Sequence, residues 1–297
     1  MPGGGGAGSG DGHAVSSREE FARGDAAPRE LRVSRTMNKP RVICLLLWRE
    51  FALVKSRAFS SDRRLGPLAQ TLRLMSRRDV DEILLIDVGA ARTGRSIDVS
   101  VCAEAADQCT VPLTVGGGIF DVETARACLR EGADRVMVTS LLARSPETVR
   151  NIASTLGSSN LVVGIDYRTT DAGTECFTDS GRTSLRRPLE RVVEEAERAG
   201  AGEIVLQSID RDGRMNGLDV DLGTRVASYA DCPVVLAGGA GSPAHVGEAL
   251  ESRTLAAVAI GSMFHFTQFT PDIVRQELSS RGIPTRATLV GDSSILR

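Results

Sequence analysis

From residue 41 onward, the chain alternates short apolar, β-branched runs with longer segments in which apolar residues recur at helical spacing. This alternation is typical of parallel strands joined by helical crossovers. It predicts eight strands, near residues 41–47, 82–88, 111–115, 135–138, 161–166, 203–207, 233–236 and 256–260. The clearest helices are predicted at residues 122–131 and 188–199.

Eight strand–helix units within about 250 residues match the size of a (β/α)8 barrel of the α/β class, the TIM barrel. A doubly wound open sheet is the alternative. Two glycine-rich segments, residues 115–118 and 237–241, favour the closed barrel because each follows a strand and the two mark near-equal halves. Gly116 and Gly238 are 122 residues apart (238 − 116), and Val136 and Val258 keep that separation (258 − 136 = 122). We therefore expect one barrel with a two-fold internal half-barrel repeat.

Composition excludes several classes of protein. The net charge is −2, and the basic residues are dispersed among acidic ones, so no basic surface that could bind nucleic acid is predicted. No run approaches the roughly 20 apolar residues needed to cross a bilayer, so no membrane role is expected. The six cysteines are scattered without a Cys-x-x-Cys pair, which favours a reducing, cytoplasmic location. The three histidines lie at no metal-binding spacing, so no metal is expected. No cofactor is expected either.

The beginning of the chain differs in character from the rest. Residues 1–37 are rich in Gly, Ser, Ala and charged residues and have almost no aliphatic periodicity, so they are predicted to form a disordered extension. The barrel is expected over residues 38–290, followed by a short tail of residues 291–297. Met37 directly precedes the first ordered segment and is a candidate initiator.

The chemistry of such barrels lies at the carboxyl ends of their strands. There, the glycine turn of each half is followed on the next strand by a residue pair that carries a hydroxyl. Hydroxyls and backbone N–H groups can converge on an anion, which predicts two phosphate sites; tight turns that merely require glycine are the alternative. The predicted sites comprise Gly117, Gly118, Thr139 and Ser140 in the first half, and Gly238, Gly239, Gly261 and Ser262 in the second.

Asp166 is the leading acid–base candidate. It ends an apolar strand, so its carboxylate is expected at the barrel mouth, where burial moves a carboxyl pKa toward neutrality. A helix cap or a partner for Arg168 is the alternative role. Asp87 ends the second strand in the same way, and a role as a loop clamp is nearly as well supported. The segment from Asp210 to Gly213 is expected to form a lid or a second wall, with Asp212 as the second candidate acid.

Another set of charges lies at the starts of four predicted strands, namely Arg41, Glu82, Arg135 and Glu203. Charges at the amino-terminal face of a barrel normally serve stability. Four of them from four strands could also ring the barrel axis and act as a gate, and periodicity does not decide between these roles. His265 is expected to pack beside the last strand rather than to act in catalysis.

Between about residues 41 and 286, the sequence resembles the cyclase subunit of imidazole glycerol phosphate synthase. The matching motifs include Val54-Lys55, Gly132-Ala133-Asp134, Ile165-Asp166 and the segments 112–119, 208–213, 238–241 and 281–284. The resemblance implies a (β/α)8 barrel that works as a heterodimer with a glutaminase subunit. A related isomerase of histidine biosynthesis fits less well, because the charged ring and residues 209–213 resemble the cyclase.

The resemblance also implies roles for residues at the mouth. In that family, aspartates on strands one and five form the acid–base pair of cyclisation and cleavage. The strand-five aspartate matches Asp166, but the strand-one position matches Leu47, so one of two proton-transfer groups is missing, at a typical cost of roughly 10²–10⁴-fold in rate. Lys55, Asp212 and Gly213 fall at substrate positions, while Thr139 and Gln207 replace the usual asparagine and threonine.

At the other end of the barrel, the resemblance matches the four-charge ring to the family's ammonia gate, with Arg135 in place of a lysine. Asp134 would face the glutaminase. Because it keeps the charges of the ammonia entrance but differs at the catalytic mouth, the sequence resembles the paralogues encoded beside surface-polysaccharide genes. The first strand of those paralogues ends in a similar Leu-Leu-Leu. Those proteins are thought to work with a glutaminase and a separate amidotransferase to place nitrogen on a sugar.

Three functions follow from these observations. The leading hypothesis is the barrel subunit of a glutamine-dependent pair that uses ammonia from its glutaminase partner on a phosphorylated or sugar-like acceptor, in the amidation of a sugar or surface-polysaccharide precursor. The second is the authentic cyclase, a lyase of histidine biosynthesis. The third is a non-catalytic ammonia channel that only activates its glutaminase.

Overall fold

A computed structural model describes residues 39–50, 52–60, 63–171 and 173–287, without the side chain of Ala91. The predicted extension of residues 1–37, with its candidate initiator Met37, and the predicted tail of residues 291–297 lie outside the described residues.

The described residues form twelve strands in one sheet. In chain order they are β1 (Arg41–Arg49), β2 (Ala52–Lys55), β3 (Arg63–Pro67), β4 (Glu82–Asp87), β5 (Leu113–Gly116), β6 (Arg135–Val138), β7 (Leu161–Thr170), β8 (Gly173–Thr178), β9 (Thr183–Ser184), β10 (Glu203–Ser208), β11 (Val234–Ala237) and β12 (Ala257–Ile260). Eight of these run parallel in the order β1, β4, β5, β6, β7, β10, β11 and β12, and β12 pairs with β1 to close the ring. The predicted TIM barrel is confirmed, and the open sheet is not formed.

Helices follow the barrel strands. Within the described ranges they are α1 (Leu68–Arg77), α2 (Ala90–Thr93), α3 (Val99–Gln108), α4 (Val122–Arg130), α5 (Ser140–Arg144), α6 (Pro146–Leu156), α7 (Leu189–Arg198), α8 (Val220–Tyr229), α9 (Pro243–Glu251), α10 (Ser262–Phe266) and α11 (Pro271–Ser280). The two helices that were clearest in the sequence are confirmed as α4 and α7. The start of α4 is set by Asp121, whose carboxylate accepts a hydrogen bond of 2.7 Å from the Thr124 N–H.

Apolar side chains pack on both faces of the barrel strands, as expected when helices cover a parallel sheet. Outward-facing residues such as Leu46 and Ile83 pack against the helices. Inward-facing residues form a separate apolar cluster that lines the barrel interior, comprising Ile43, Leu45, Leu47, Val54, Leu84, Met137, Val162, Val205, Val235, Ala237, Ala257 and Ala259. The carboxyl ends of the strands are thereby set on a rigid, packed base.

Two antiparallel additions extend the barrel beyond the prediction. β1 continues into a hairpin with β2, in which Leu47 pairs with Val54, and β3 pairs with β2. β7 runs on to Thr170 and pairs with β8, so Asp166 lies inside β7 rather than at its end. The boundary was wrong because the polar, β-branched residues beyond Asp166 continue the strand as a hairpin. Asp166 still lies at the carboxyl end of the parallel ladder, which ends one residue later at Tyr167.

The internal repeat is present, with a shift of one residue from the predicted pairing. Gly117 has a φ of 88°, and a Cβ there would lie 2.2 Å from the Asp87 carbonyl oxygen. Gly238 has a φ of 91°, and a Cβ there would lie 2.6 Å from the Ser208 carbonyl oxygen. Gly238 is therefore equivalent to Gly117 (238 − 117 = 121), not to Gly116. In each half, a left-handed glycine lets the turn pass over the end of the neighbouring strand.

None of the helices in the described part of the chain combines the length and the apolar character that crossing a membrane requires.

Candidate active site

Two adjoining cavities occupy the carboxyl-terminal mouth of the barrel. The larger, of about 1050 Å³, is open to solvent, and the smaller measures about 270 Å³. Leu45 and Asp212 line both. Of the predicted site residues, the larger cavity is lined by Gly117, Gly118, Thr139, Ser140, Asp166, Gln207 and Asp212. The smaller is lined by Lys55, Asp212, Gly213, Gly238, Gly239, Gly261 and Ser262.

Asp166 lines the larger cavity from β7. Burial, together with the negative charge of Asp212, raises the pKa of its carboxyl to about 7. A carboxyl group that titrates near neutrality can both accept and donate a proton at physiological pH. Arg168 is not its partner, because that guanidinium lies 4.7 Å over the Phe177 ring and 3.7 Å from the Asp210 carboxylate.

Asp212 is held at the boundary of the two cavities by buried partners. Its Oδ2 accepts a hydrogen bond of 3.0 Å from the Ser56 hydroxyl, and its Oδ1 lies 3.4 Å from Lys55 Nζ. Its backbone oxygen accepts a bond of 2.9 Å from the Ala58 N–H. These contacts tie the segment of residues 210–213 to the β2–β3 connection, so Asp212 belongs to a fixed wall of the site.

Leu47, together with Leu45, supplies the part of the wall that comes from β1. It pairs with Ile86 of β4 and Val54 of β2, and it belongs to the apolar cluster inside the barrel. Its side chain lines the same cavity as Asp166. The β1 position therefore offers the mouth an apolar surface and no group that can transfer a proton.

The second-half site presents groups suited to an anion. The Ser262 hydroxyl is buried and has no hydrogen-bond partner among the described residues. Lys55 is 5% exposed and reaches the same turn, where a Cβ on Gly261 would lie 2.8 Å from the Lys55 ammonium. The absence of a side chain at Gly261 thus lets the ammonium approach the turn. An ammonium and an unpaired hydroxyl beside this turn are donors that a phosphate can accept from.

The first-half site is built differently. The Ser140 hydroxyl accepts a hydrogen bond of 3.0 Å from the Asp179 N–H, in the segment between β8 and β9. Arg144 of α5 forms an ion pair with the Asp179 carboxylate. This segment therefore closes over the Thr139-Ser140 corner, which faces the larger cavity.

Asp87 acts as a loop clamp. Its Oδ1 accepts hydrogen bonds from the N–H groups of Gly89 (2.9 Å) and Ala90 (3.0 Å), and its Oδ2 lies 2.8 Å from Arg95. Burial nevertheless raises the pKa of the Asp87 carboxyl above its ordinary value. Both oxygens are occupied by the protein itself, which supports the structural role over the catalytic one.

Among the residues that line the larger cavity and that sequence reasoning missed are Ser56, Phe59, Arg92 and Ser180. They lie on the β2–β3 connection, on α2 and on the β8–β9 connection. A short apolar run at residues 52–54, followed by a mostly polar stretch, was the available indication of the first hairpin.

The four predicted charges at the opposite end of the barrel meet in a closed ring. Arg41 lies 2.7 Å from Glu82 and also pairs with Glu203, and Arg135 pairs with both glutamates. Each glutamate is 3% exposed. Although burial works against the charged form, the two glutamates raise the pKa of Arg135. Asp134 directly precedes Arg135 in the chain. It is exposed, and its carboxylate accepts a hydrogen bond of 2.8 Å from the Leu113 N–H.

His265, on α10 directly after the last barrel strand, lies near Lys55. Burial and the positive charge of Lys55 lower its pKa to about 4, so the imidazole is neutral at physiological pH. In the part of the chain that the structure describes, no group of three or more His, Cys, Asp or Glu side chains could hold a metal ion.

Comparison with known proteins gives consistent matches over the barrel. The family described as "Histidine biosynthesis protein" matches residues 49–270. The imidazole glycerol phosphate synthase subunit HisF of Thermococcus gammatolerans is 37% identical over 246 residues, which cover 83% of this chain and 97% of that protein. The subunit HisF of Pyrococcus furiosus is 34% identical over 246 residues, covering 83% of this chain and 98% of that protein. The subunit HisF of Dictyoglomus thermophilum is 36% identical over 235 residues, covering 79% of this chain and 93% of that protein.

Proposed function

This chain belongs to the histidine biosynthesis protein family as a cyclase-type barrel of imidazole glycerol phosphate synthase, and from that premise we propose that it transfers ammonia to an acceptor other than the substrate of histidine-pathway cyclisation. The proposed partner is a glutaminase subunit, in a heterodimer. The proposed acceptor is a phosphorylated, sugar-like molecule, such as a precursor of a surface polysaccharide. The proposed functional unit is the barrel of residues 38–290.

The observation that carries the proposal is Leu47. The resemblance to the cyclase places a proton-transferring aspartate at this position, and here the side chain packs between Val54 and Ile86. Cyclisation and cleavage need two groups that move protons, whereas addition of ammonia to one electrophilic carbon can proceed with one. Asp166 remains in place for that simpler task.

Asp166 would act as follows. Ammonia at the mouth attacks an electrophilic carbon of the acceptor, and a carbon–nitrogen bond forms. The Asp166 carboxylate accepts a proton from the nitrogen and returns it to a hydroxyl oxygen on the same carbon; the carbon–oxygen bond then breaks, and water leaves. The pKa of about 7 suits both halves of this exchange. Lys55 and Ser262 would hold a phosphate of the acceptor in the smaller cavity.

The ring of Arg41, Glu82, Arg135 and Glu203 supports delivery of ammonia from the other end. It lies below the apolar cluster that lines the barrel interior, and a small neutral molecule crosses such a lining more readily than an ion does. We propose that this ring gates the entrance and that Asp134, exposed beside it, contacts the glutaminase.

The authentic cyclase is the second candidate. It is favoured by the identity of more than a third to named subunits and by the presence of Asp166, Lys55 and both glycine turns. A histidine auxotroph that lacks its cyclase separates the two. We expect the unmodified gene not to restore growth without histidine, while a cyclase gene such as that of Thermococcus gammatolerans does. Robust growth on the unmodified gene would overturn the proposal.

A third candidate is a scaffold that only activates the glutaminase. Replacing Asp166 with asparagine tests it in the reaction coupled to glutamine hydrolysis. We expect D166N to retain stimulation of the glutaminase but to lose about 10²-fold or more of nitrogen transfer to the acceptor. Full transfer by D166N would show that the barrel is a scaffold.

A further inference from the structure

The two halves of the mouth offer a ligand different groups. In the smaller cavity, Ser262 is 5% exposed, and its buried hydroxyl has no partner among the described residues. Lys55, 5% exposed, faces the same space with its ammonium close to Gly261. A buried polar group without a partner is costly, so this hydroxyl is placed to bind something from outside.

The larger cavity differs in the charged groups that it offers to a ligand. Its described lining carries three carboxylates, of Asp87, Asp166 and Asp212, against one guanidinium, of Arg92. Arg92 is turned toward the protein, since its Nη2 donates a bond of 3.3 Å to the Phe59 carbonyl oxygen. A phosphate placed here would meet no lysine of this described lining. Arg92 is bonded to the protein, and the counter-ions of Asp87 and Asp212, Arg95 and Lys55, are already paired with those carboxylates.

Most of the remaining lining is apolar. It includes Leu47, Leu84, Ile86, Phe120 and Met137, together with Phe59. The side chain of Leu47 is continuous with the barrel interior, so the floor beneath Asp166 is apolar as well. Such a surface gains free energy by covering apolar atoms of a ligand.

Phe59 lies in a strained segment of the wall of the larger cavity. It and Ala58 both have left-handed backbone, with φ of 57° and 50°. Non-glycine residues reach this region at about 1 kcal/mol or more each. The loop is fixed by the Ala58 N–H, which donates a bond of 2.9 Å to the Asp212 carbonyl oxygen. Strain of this kind concentrates at ligand sites, and here it brings an aromatic ring to the mouth.

From this asymmetry we infer that the acceptor is a phosphate monoester whose other end is uncharged and has an apolar face. The phosphate lies against Lys55 and Ser262 in the smaller cavity, and the uncharged end lies against Phe59 in the larger one. This departs from the expectation of two phosphate sites. The inference rests on the proposed function, because it names the acceptor class of the same mouth.

Calorimetric titration of the full chain with three probes tests the inference. Phenyl phosphate is expected to bind once per chain and about tenfold more tightly than inorganic phosphate, because its ring covers apolar surface. Fructose 1,6-bisphosphate, with two charged ends, is expected to bind no more tightly than inorganic phosphate. Tighter binding of the bisphosphate than of phenyl phosphate, or no binding of any probe, would overturn the inference.

Substitutions assign the two ends. Phe59→Ala should weaken phenyl phosphate about tenfold and inorganic phosphate less than about twofold, while Phe59→Leu, which keeps an apolar side chain, should retain most of the preference. Ser262→Ala should weaken both probes about tenfold. Leu74→Ala, on the exposed face of α1, lines neither cavity and is the matched control. Equal losses of both probes in Phe59→Ala would contradict the assignment. Stimulation of the glutaminase is measured separately, so failure here leaves the proposed pairing intact.

Discussion

At the scale of single residues, two positions at the same mouth decide what chemistry is available. Asp166 keeps a carboxyl group with a pKa of about 7, and Leu47 contributes none. The pKa of Asp166 is a consequence of its surroundings, because burial and Asp212 both disfavour the charged form. Because its pKa is raised on folding, the folded protein binds the proton of this carboxyl more tightly than the unfolded chain does. The free energy of unfolding therefore depends on pH.

Asp166→Asn should therefore stabilise the protein at pH 8 and not at pH 4. The ordinary pKa of 3.8 is raised to about 7 on folding, so stability is lost as pH rises from about 4 through 7. The neutral amide removes that loss, with a gain on the order of 1–2 kcal/mol at pH 8 after allowance for the open mouth. Urea denaturation at pH 4.5, 6 and 8 measures the gain, and Asp107→Asn on the exposed face of α3 is the control. A gain of equal size at all three pH values would contradict the assignment.

At the scale of elements, the turns after β5 and β11 carry the repeat. Gly117 and Gly238 share a left-handed backbone and a close approach to a carbonyl oxygen of the neighbouring strand. These turns could be located from sequence because glycine is the residue that such backbone requires. The hairpins β2–β3 and β8–β9 could not, since their strands are short and show little local periodicity, and they are held by contacts with distant parts of the mouth.

Alanine substitutions should separate backbone strain from steric clash. Gly117→Ala and Gly238→Ala each place a Cβ within 2.6 Å of a carbonyl oxygen, and a loss of about 3 kcal/mol or more is expected. Gly173→Ala has a comparable positive φ of 118° but meets nothing within 4 Å, so about 1 kcal/mol is expected. Urea denaturation of the three variants gives the free energies of unfolding. Equal losses at Gly173 and Gly117 would show that the close approach does not matter.

At the scale of the whole molecule, the barrel joins two polar ends through an apolar interior. The ring of four charges closes one end, and the two cavities open at the other. Because the ring is largely buried, each charge depends on its partners. Replacing one glutamate leaves both arginines with a single counter-ion, and this costs more stability than the loss of an exposed ion pair.

Glu203→Gln should destabilise the protein by about 3–5 kcal/mol. Glu147→Gln removes one member of the exposed Glu147–Arg150 pair on α6 and should change stability by less than about 0.5 kcal/mol. Thermal and urea unfolding of both variants, at the same ionic strength, provide the comparison. If the two variants lose equal stability, the ring does not behave as a buried network.

The sequence by itself determined the barrel, its eight parallel strands, the two glycine turns and the position of Asp166 at the mouth, because periodicity and backbone requirements are properties of neighbouring residues. Only the tertiary structure decided that Lys55 reaches Asp212 across 157 residues of chain, that the four charges close a ring, and that Phe59 folds over one half of the mouth. These features depend on distances between segments far apart in the chain, which no local pattern encodes.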